Sequence, residues 1–185
     1  MKKKILGISA SFRRNGNSAQ MLQAFLKGAE AAGAQTETIY LADCNMHYCT
    51  GCWHCKETGS CVFNDDIHMI AEKIMAADAI VLASPIYFYA ISGQLKTMID
   101  RMDAYYQKIE NKDFYELFAC ADSDQACVDT AVLEIRGFIS CLKNCHEMGI
   151  VRGTDACEVS DIQKGAHLNE AYLMGTSAGR RSDVQ

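Results

Sequence analysis

The sequence is poor in proline, in basic residues and in long apolar stretches. Its 185 residues include one proline, and 23 acidic residues outnumber 18 lysines and arginines, for a formal net charge of −5. Nucleic-acid binding needs a basic face that neutralises phosphates, and this composition does not favour one. No apolar stretch approaches the roughly 18 residues of a membrane span, and residues 5–10 are too few for a signal-peptide core. We therefore expect a cytoplasmic protein that binds neither nucleic acid nor membrane.

The residues that are abundant point to a globular chain with redox or metal chemistry. Apolar residues make up 49% of the chain and charged residues 22%, a composition that supports a sizeable core and argues against disorder. The length fits one domain, and we predict that residues 1–185 form it. Ten cysteines are many for a cytoplasmic protein, in which disulfides are rare. Without an export signal they indicate metal, cluster or redox chemistry.

Short apolar runs, typical of buried strands, alternate along the chain with stretches in which apolar residues recur at helical spacing. The predicted strands are residues 3–10, 36–41, 79–83, 115–120 and 149–157. The predicted helices begin at Ser18, as N-cap, and at Asp65, and cover residues 95–102, 128–142 and 166–178. We expect Pro85 to end the third strand, and Cys141 and Cys145 to share a face of the long helix. Strands that alternate with helices favour parallel pairing, so the pattern predicts an α/β domain.

Polar and aromatic loops follow the predicted strands, where an open α/β sheet binds its ligands. Residues 9–18 offer hydroxyls, an amide, two guanidiniums and a helix N-terminus, all of which suit a phosphate dianion. Residues 84–93 place three aromatic side chains after a buried strand, where they can contact a flat heterocycle. The alternatives are an ordinary N-capped loop in the first case and aromatic side chains that close the core in the second. A third loop, residues 121–124, follows the fourth strand.

Two of these loops resemble a known family. The pattern S-x-R-x-x-G-N-S, from Ser11 to Ser18, is similar to the FMN-phosphate loop of the flavodoxin-like NAD(P)H-dependent FMN reductases. Residues 79–102 resemble the S-P-x-Y turn and the L-K-x-x-I-D-R helix of that family. The resemblance covers most of residues 4–178. It implies a doubly wound five-stranded parallel sheet in the order 2-1-3-4-5, FMN as cofactor and NAD(P)H as co-substrate.

The resemblance also implies which residues contact FMN. The phosphate contacts that it implies are Ser9, Ser11, Arg13, Asn17 and Ser18. Phe12, which stands where the family usually has proline, is a further cofactor-binding residue of the same loop. The flavin-ring contacts are Pro85, Ile86, Tyr87 and Phe88. Ala121 and Asp122 are further contacts, although their loop lacks the glycine-rich turn of relatives. No catalytic side chain is implied, because the cofactor supplies the chemistry.

Four cysteines lie within 13 residues of one another in the cysteine-rich segment 44–61. Cys49, Cys52, Cys55 and Cys61 form C-x2-C-x2-C-x5-C, which is more compact than the paired ligands of structural zinc sites and favours one polynuclear cluster. The motif resembles that of the iron-sulfur flavoproteins, a branch of the same family, and implies a 4Fe-4S cluster. Zinc, a disulfide such as Cys49 with Cys52, or a loop without metal are the alternatives. Trp53, inside the motif, indicates shielding of a cofactor or a subunit contact.

These features predict an oxidoreductase and leave its partners open. In the first interpretation, electrons pass from NAD(P)H through FMN to a small-molecule acceptor such as a quinone, a nitro compound, a free flavin or an iron complex. In the alternative, the protein is an electron carrier that a ferredoxin-like partner reduces through the cysteine motif. A third interpretation is a redox or metal sensor. The aromatic turn exposes more surface than one flavin covers, so we expect a homodimer or homotetramer.

Overall fold

A computed structural model describes residues 2–180 and is built around a sheet of parallel strands. The strands are β1 (Lys4–Ser9), β2 (Gln35–Tyr40), β3 (Ala79–Tyr87), β4 (Ala90–Ile91), β5 (Asp113–Ala119) and β6 (His146–Gly153). The α-helices are α1 (Asn17–Ala31), α2 (His54–Thr58), α3 (Ile67–Ala76), α4 (Gly93–Arg101), α5 (Asp129–Ser140) and α6 (His167–Gly179). The order β2-β1-β3-β5-β6, with parallel pairing throughout, confirms the predicted sheet, to which β4 is a short addition.

Helices cover both faces of this sheet. One core lies under α3, α4 and α5, and a second core lies under α1 and α6. In the central strands β1, β3 and β5, side chains of both orientations are buried, and residues 79–83 of β3 are fully buried. This layering leaves the carboxyl ends of the strands as the open edge of the sheet, where the connecting loops meet.

Glycines allow α6 to pack closely against α1. A methyl group at Gly175 would lie 1.9 Å from the carbonyl oxygen of Phe25, and one at Gly28 would lie 2.0 Å from the carbonyl oxygen of Tyr172. Only glycine permits such a backbone approach. The two helices therefore form one rigid layer, and α1 reaches the open edge of the sheet with its N-terminus fixed in place.

The prediction that Pro85 ends β3 is wrong. Pro85 pairs with Ala119 of β5, and the strand continues to Tyr87, which pairs with Ala90 of β4 in an antiparallel hairpin. The pairing of β1 with β3 ends at Ala83, so it does not require an N–H from residue 85, which proline lacks. The hairpin therefore extends the centre of the sheet beyond the edge at which its neighbours end.

Three smaller expectations are also corrected. The residue that precedes α1 is Gly16, so Ser18 lies inside the helix and is not its N-cap. Helix α5 ends at Ser140, so Cys141 and Cys145 do not share a helical face. His146 begins β6, because this strand pairs with β5 from Asp113 onward, and residues 154–157 leave the sheet.

Among residues 2–180, no helix is both long and apolar enough to cross a membrane.

Candidate functional site

A cavity of about 250 Å³ opens at the carboxyl edge of the sheet, and we call it the edge cavity. Eight of the predicted FMN contacts line it: Ser11, Arg13, Asn17, Ser18, Pro85, Ile86, Tyr87 and Ala121. The other four residues of the prediction, Ser9, Phe12, Phe88 and Asp122, do not line it. The structure therefore brings the three predicted loops together at the edge of the sheet.

The loop between β1 and α1 is folded around its own backbone. The Arg13 N–H donates to the Ser11 hydroxyl at 3.1 Å, and the Gly16 N–H donates to the Arg13 carbonyl at 2.9 Å. A methyl group at Gly16 would lie only 3.0 Å from the Ser11 Oγ, so this tight turn favours glycine. The turn leads directly into α1, whose first N–H groups have no acceptor within the helix.

The N-terminus of α1 offers unused donors to the edge cavity. By helix geometry the N–H groups of Asn17, Ser18 and Ala19 have no intrahelical acceptor, and the helix dipole favours negative charge there. Ser18 is buried and lines the cavity, yet its hydroxyl has no hydrogen-bond partner within residues 2–180. A buried hydroxyl without a partner is costly unless a ligand satisfies it. Together with Arg13, these groups fit a phosphate.

The side chain of Asn17 is engaged elsewhere. Its amide donates to the carbonyl oxygens of Ala156 at 3.0 Å and Glu158 at 2.9 Å, and its oxygen accepts from the Ser160 N–H at 3.0 Å. These bonds join the start of α1 to the segment after β6. Asn17 therefore fixes one wall of the edge cavity, and its backbone N–H is the group that it presents to a ligand.

Ser9 and Phe12 belong to the predicted loop but do not line the edge cavity. Ser9 ends β1 and is fully buried, with a hydroxyl that has no partner in the described part of the chain. Phe12 is 65% exposed, so the residue in the family's proline position points into solvent. Asp122 is used locally: its carboxylate accepts from the Asp124 N–H at 3.0 Å, and its carbonyl accepts from the Asp155 N–H.

The β3–β4 hairpin places the aromatic residues in two different environments. Pro85, Ile86 and Tyr87 line the edge cavity, whereas Phe88 is 100% exposed. Phe88 and Tyr89 have φ values of 50° and 66°, a left-handed conformation that suits a tight hairpin turn and is uncommon for aromatic residues. Backbone strain of this kind persists where the surrounding structure enforces it.

Sequence reasoning missed part of the wall of the edge cavity. The residues that it omitted are Gly16, Ala119, Ala156, Cys157 and Val159. Three of these follow β6, the last strand of the sheet. The signal was available in principle, because the loop after the fifth parallel strand must reach the same edge as the others.

A second cavity, also of about 250 Å³, gathers all four cysteines of the motif, and we call it the cysteine cavity. Cys49, Cys52, Cys55 and Cys61 line it together with Trp53, Arg101 and Asp103. Cys49 and Cys52 are exposed, and Cys55 and Cys61 are half-buried. Gly51 and Trp53 have left-handed φ values of 65° and 62°, which turn the chain between successive cysteines of the motif. The cysteine cavity is therefore open to solvent, and four thiols line its wall.

A buried ion pair supports the floor of the cysteine cavity. Arg101, at the end of α4, donates to the Asp65 carboxylate at 2.8 and 3.0 Å and to the Cys61 Sγ at 3.1 Å. Burial favours the neutral form of Asp65, but hydrogen bonds from Arg101 and His47 outweigh it and lower the pKa of Asp65 to about 2. The carboxylate is therefore charged at neutral pH and keeps Arg101 in place.

The thiols of this cavity differ in their surroundings. Hydrogen bonds from the His54 backbone and the Thr50 side chain lower the pKa of Cys52, whereas desolvation and the Asp103 carboxylate raise the pKa of Cys55. Within residues 2–180, no three His, Cys, Asp or Glu side chains are close enough to bind a single metal ion. Tetrahedral zinc, with bonds of about 2.3 Å to sulfur, needs such closeness. Four thiols around one cavity would suit a polynuclear cluster better, because in such a cluster each thiolate would bind a different iron.

Comparison with known proteins identifies the family. The sequence profile described as NADPH-dependent FMN reductase matches residues 3–147. An iron-sulfur flavoprotein of Archaeoglobus fulgidus is 40% identical over 102 residues, which are 55% of this chain and 46% of that protein. One of Methanocaldococcus jannaschii is 43% identical over 98 residues, 53% of this chain and 51% of that protein. The matches thus span about half the length of these curated relatives.

Solved structures agree in fold. The NAD(P)H:quinone oxidoreductase of Methanothermobacter marburgensis superimposes with a TM-score of 0.74 at 18% identity, over 98% of this chain and 99% of that one. An FMN-dependent NADH-azoreductase of Bacillus anthracis, solved with FMN, also gives 0.74, at 14% identity over 96% and 100% of the two chains. The fold is flavodoxin-like, and with the family profile matched over most of its length, the chain belongs to the NADPH-dependent FMN reductase family.

Proposed function

We propose that this FMN-dependent oxidoreductase passes electrons from NAD(P)H to a small-molecule acceptor such as a quinone, a nitro compound, a free flavin or an iron complex. The observation that carries the proposal is the buried, unpartnered Ser18 hydroxyl beside the free N–H groups of α1 and Arg13 in the edge cavity. FMN, when bound, supplies the hydride and electron chemistry. Two proteins of similar structure, a quinone oxidoreductase and an azoreductase, support this class of reaction.

The side chains of the edge cavity have distinct roles in this proposal. The α1 N-terminus, Ser11, Arg13 and Ser18 bind the phosphate dianion. Ser9 and Phe12 belong to the same loop and lie outside the edge cavity. Pro85, Ile86 and Tyr87 contact the flavin ring, and Phe88 leads the hairpin away from it. Ala121 and the segment after β6 close the opposite wall, with Asp122 fixing that segment through Asp155. We propose that residues 1–185 form this one FMN-binding domain, of which residues 1 and 181–185 lie outside the described structure, and that it acts in the cytoplasm.

The cysteine cavity favours a second candidate function. We propose that Cys49, Cys52, Cys55 and Cys61 bind a 4Fe-4S cluster, because all four thiols line one cavity with the Arg101 guanidinium on its wall. The similarity of this chain to proteins named iron-sulfur flavoproteins supports this assignment. With a cluster, the protein is also suited to receive single electrons from a ferredoxin-like partner and pass them to FMN.

Anaerobic reduction kinetics separate these functions. We expect NADPH or NADH to reduce the bound FMN at least as fast as the protein turns over a quinone in the steady state. A protein that NAD(P)H does not reduce, but that a reduced ferredoxin does, is an electron carrier, and that result overturns the reductase proposal. The same assay with air-exposed protein that has lost iron shows which of the two routes needs the cysteine cavity.

The Ser18→Ala variant tests where the phosphate binds. Losing one charge-assisted hydrogen bond costs about 1.5–3 kcal/mol, so we expect the Kd for FMN to rise by roughly 10- to 150-fold. Riboflavin, which lacks the phosphate, should bind both proteins equally. Ser140→Ala is the control, since the Ser140 hydroxyl bonds to the Gly137 carbonyl on α5. An unchanged Kd in a titration followed by flavin fluorescence would remove Ser18 from the site.

The exposed hairpin suggests self-association. Tyr87, Phe88 and Tyr89 are 58%, 100% and 59% exposed, and large exposed apolar groups beside a ligand site mark subunit contacts. We propose a homodimer or homotetramer with the hairpin at its interface. In sedimentation experiments the FMN-loaded protein should be oligomeric at micromolar concentration, and Phe88→Asp should release monomers. A monomeric unmodified protein contradicts this proposal.

A further inference from the structure

Arg101 joins the two ends of the cysteine-rich segment. Its guanidinium donates to the His47 carbonyl at 2.6 Å, just before Cys49, and to the Cys61 Sγ at 3.1 Å, at the far end of the motif. The side chain is 1% exposed. Cys61 follows the longest spacing in the motif, so this contact fixes the thiol that lies farthest along the chain from the other three.

The Asp65 carboxylate orients the guanidinium. Asp65 accepts two hydrogen bonds from Arg101 and one from the His47 N–H at 3.0 Å, and its own side chain is 0% exposed. This fork leaves a guanidinium N–H aimed at sulfur, so the group next to Cys61 is the positive end of the pair. Fixed geometry of this kind is specific to arginine, because an ammonium has no planar fork.

Hydrogen bonds to sulfur and nearby positive charge change the reduction potential of an iron-sulfur cluster. Reduction adds one negative charge to the cluster, and a donor at a ligand sulfur stabilises that added charge. A buried guanidinium at 3.1 Å is screened by solvent far less than an exposed charge. Removing it would also leave the Asp65 carboxylate uncompensated, and both effects disfavour reduction.

We propose that Arg101 is a positioning residue for the cysteine cavity, holding Cys61 in place and raising the reduction potential of the cluster bound there. The inference rests on the proposed 4Fe-4S cluster. It assigns to the helix after the aromatic hairpin a role in tuning electron transfer, in addition to packing against the core. The nearest comparison within the cavity is Lys56, which is solvent-exposed and pairs with Asp103 at 3.3 Å.

The test is an anaerobic redox titration followed by electron paramagnetic resonance, with iron and FMN counted in each preparation. The main variant is Arg101→Gln, which removes the guanidinium beside Cys61 and keeps the Asp65 carboxylate, so both effects act in the same direction. We expect its reduced-to-oxidised ratio at a fixed potential to fall at least tenfold, equivalent to 59 mV for one electron. Lys56→Gln, the control, should change that ratio less than threefold.

Each outcome bears on the inference. A ratio within threefold of the unmodified protein at full iron content overturns the tuning role, and loss of iron with FMN retained supports the role of Arg101 in holding Cys61. If Arg101→Gln also loses FMN, the double variant Arg101→Gln/Asp65→Asn, which leaves no buried ion without its partner, replaces it. Because loss of the Asp65 charge opposes loss of the guanidinium, its ratio is judged by the threefold limit. An unmodified protein without iron overturns the cluster, and Arg101 with it, while the FMN titration still tests the reductase proposal independently.

Discussion

Replacing Cys55 with alanine should abolish cluster binding and leave FMN in place. Cys55 lines the cysteine cavity with the other three motif cysteines, and in a 4Fe-4S cluster each thiolate binds one iron, so a missing ligand opens the cluster to loss. No residue of the cysteine-rich segment lines the edge cavity. We therefore expect about four iron and four sulfide per chain in the unmodified protein expressed anaerobically with iron, and none in the variant.

Cys145→Ala is the matched control for this experiment. Cys145 is half-buried, and its thiol lies 4.0 Å from the Ile109 carbonyl and does not line the cysteine cavity. Its replacement should cost only packing and leave iron and FMN unchanged. Equal iron in the two variants, or none in the unmodified protein, rejects the cluster and leaves an FMN-dependent oxidoreductase whose cysteine-rich segment has another purpose. Zinc in place of iron would instead require the thiols to move together.

The sequence predicted the sheet because its signals are local and strong. Residues 79–83 form a continuous apolar run, which is typical of a strand covered on both faces. The helices that alternate with the strands supply the long crossovers that parallel pairing requires. The hairpin after Pro85 was missed because proline usually ends a ladder. What permits it is the early end of the β1 pairing at Ala83, a tertiary fact that no local pattern contains.

The candidate site was predicted in its composition and only in part in its geometry. The polar loop before α1 reaches the edge cavity because a helix N-terminus after β1 must lie there. The sequence could not show that the Asn17 side chain bonds to residues 156–160, 139 to 143 positions away, because no local pattern carries such a contact. The link from Arg101 to Cys61 and Asp65 has the same long-range origin.

A buried carboxyl group in the middle of β5 was also beyond sequence reasoning. Glu116 is 0% exposed, and neither of its oxygens accepts a hydrogen bond from any residue in the described range. Burial, and then the Glu147 carboxylate beside it on β6, raise its pKa to about 8, against the opposing influence of Arg136 and Arg152. Glu116 is therefore protonated at neutral pH and can donate its proton to Glu147, which Arg136 keeps ionised.

This proton makes the stability of the protein depend on pH. The unfolded chain loses it near pH 4.5, whereas the folded protein keeps it until about pH 8. The folded state thus binds more protons between these values, so the stabilising contribution is complete below pH 4.5 and is lost as the pH rises through 8. At about 1.4 kcal/mol for each pH unit between the two pKa values, the loss reaches about 5 kcal/mol above pH 8.

Replacing Glu116 with glutamine should remove that loss. Glutamine has the shape of the protonated acid and donates to Glu147 at any pH, so we expect the variant to match the unmodified protein near pH 5 and to exceed it by several kcal/mol at pH 9. Urea unfolding at the two pH values measures the difference, and Glu170→Gln, on the exposed side of α6, is the control. If the unmodified protein and Glu116→Gln instead lose stability in parallel between pH 5 and 9, then Glu116 is already ionised in the folded protein and does not cause the pH dependence.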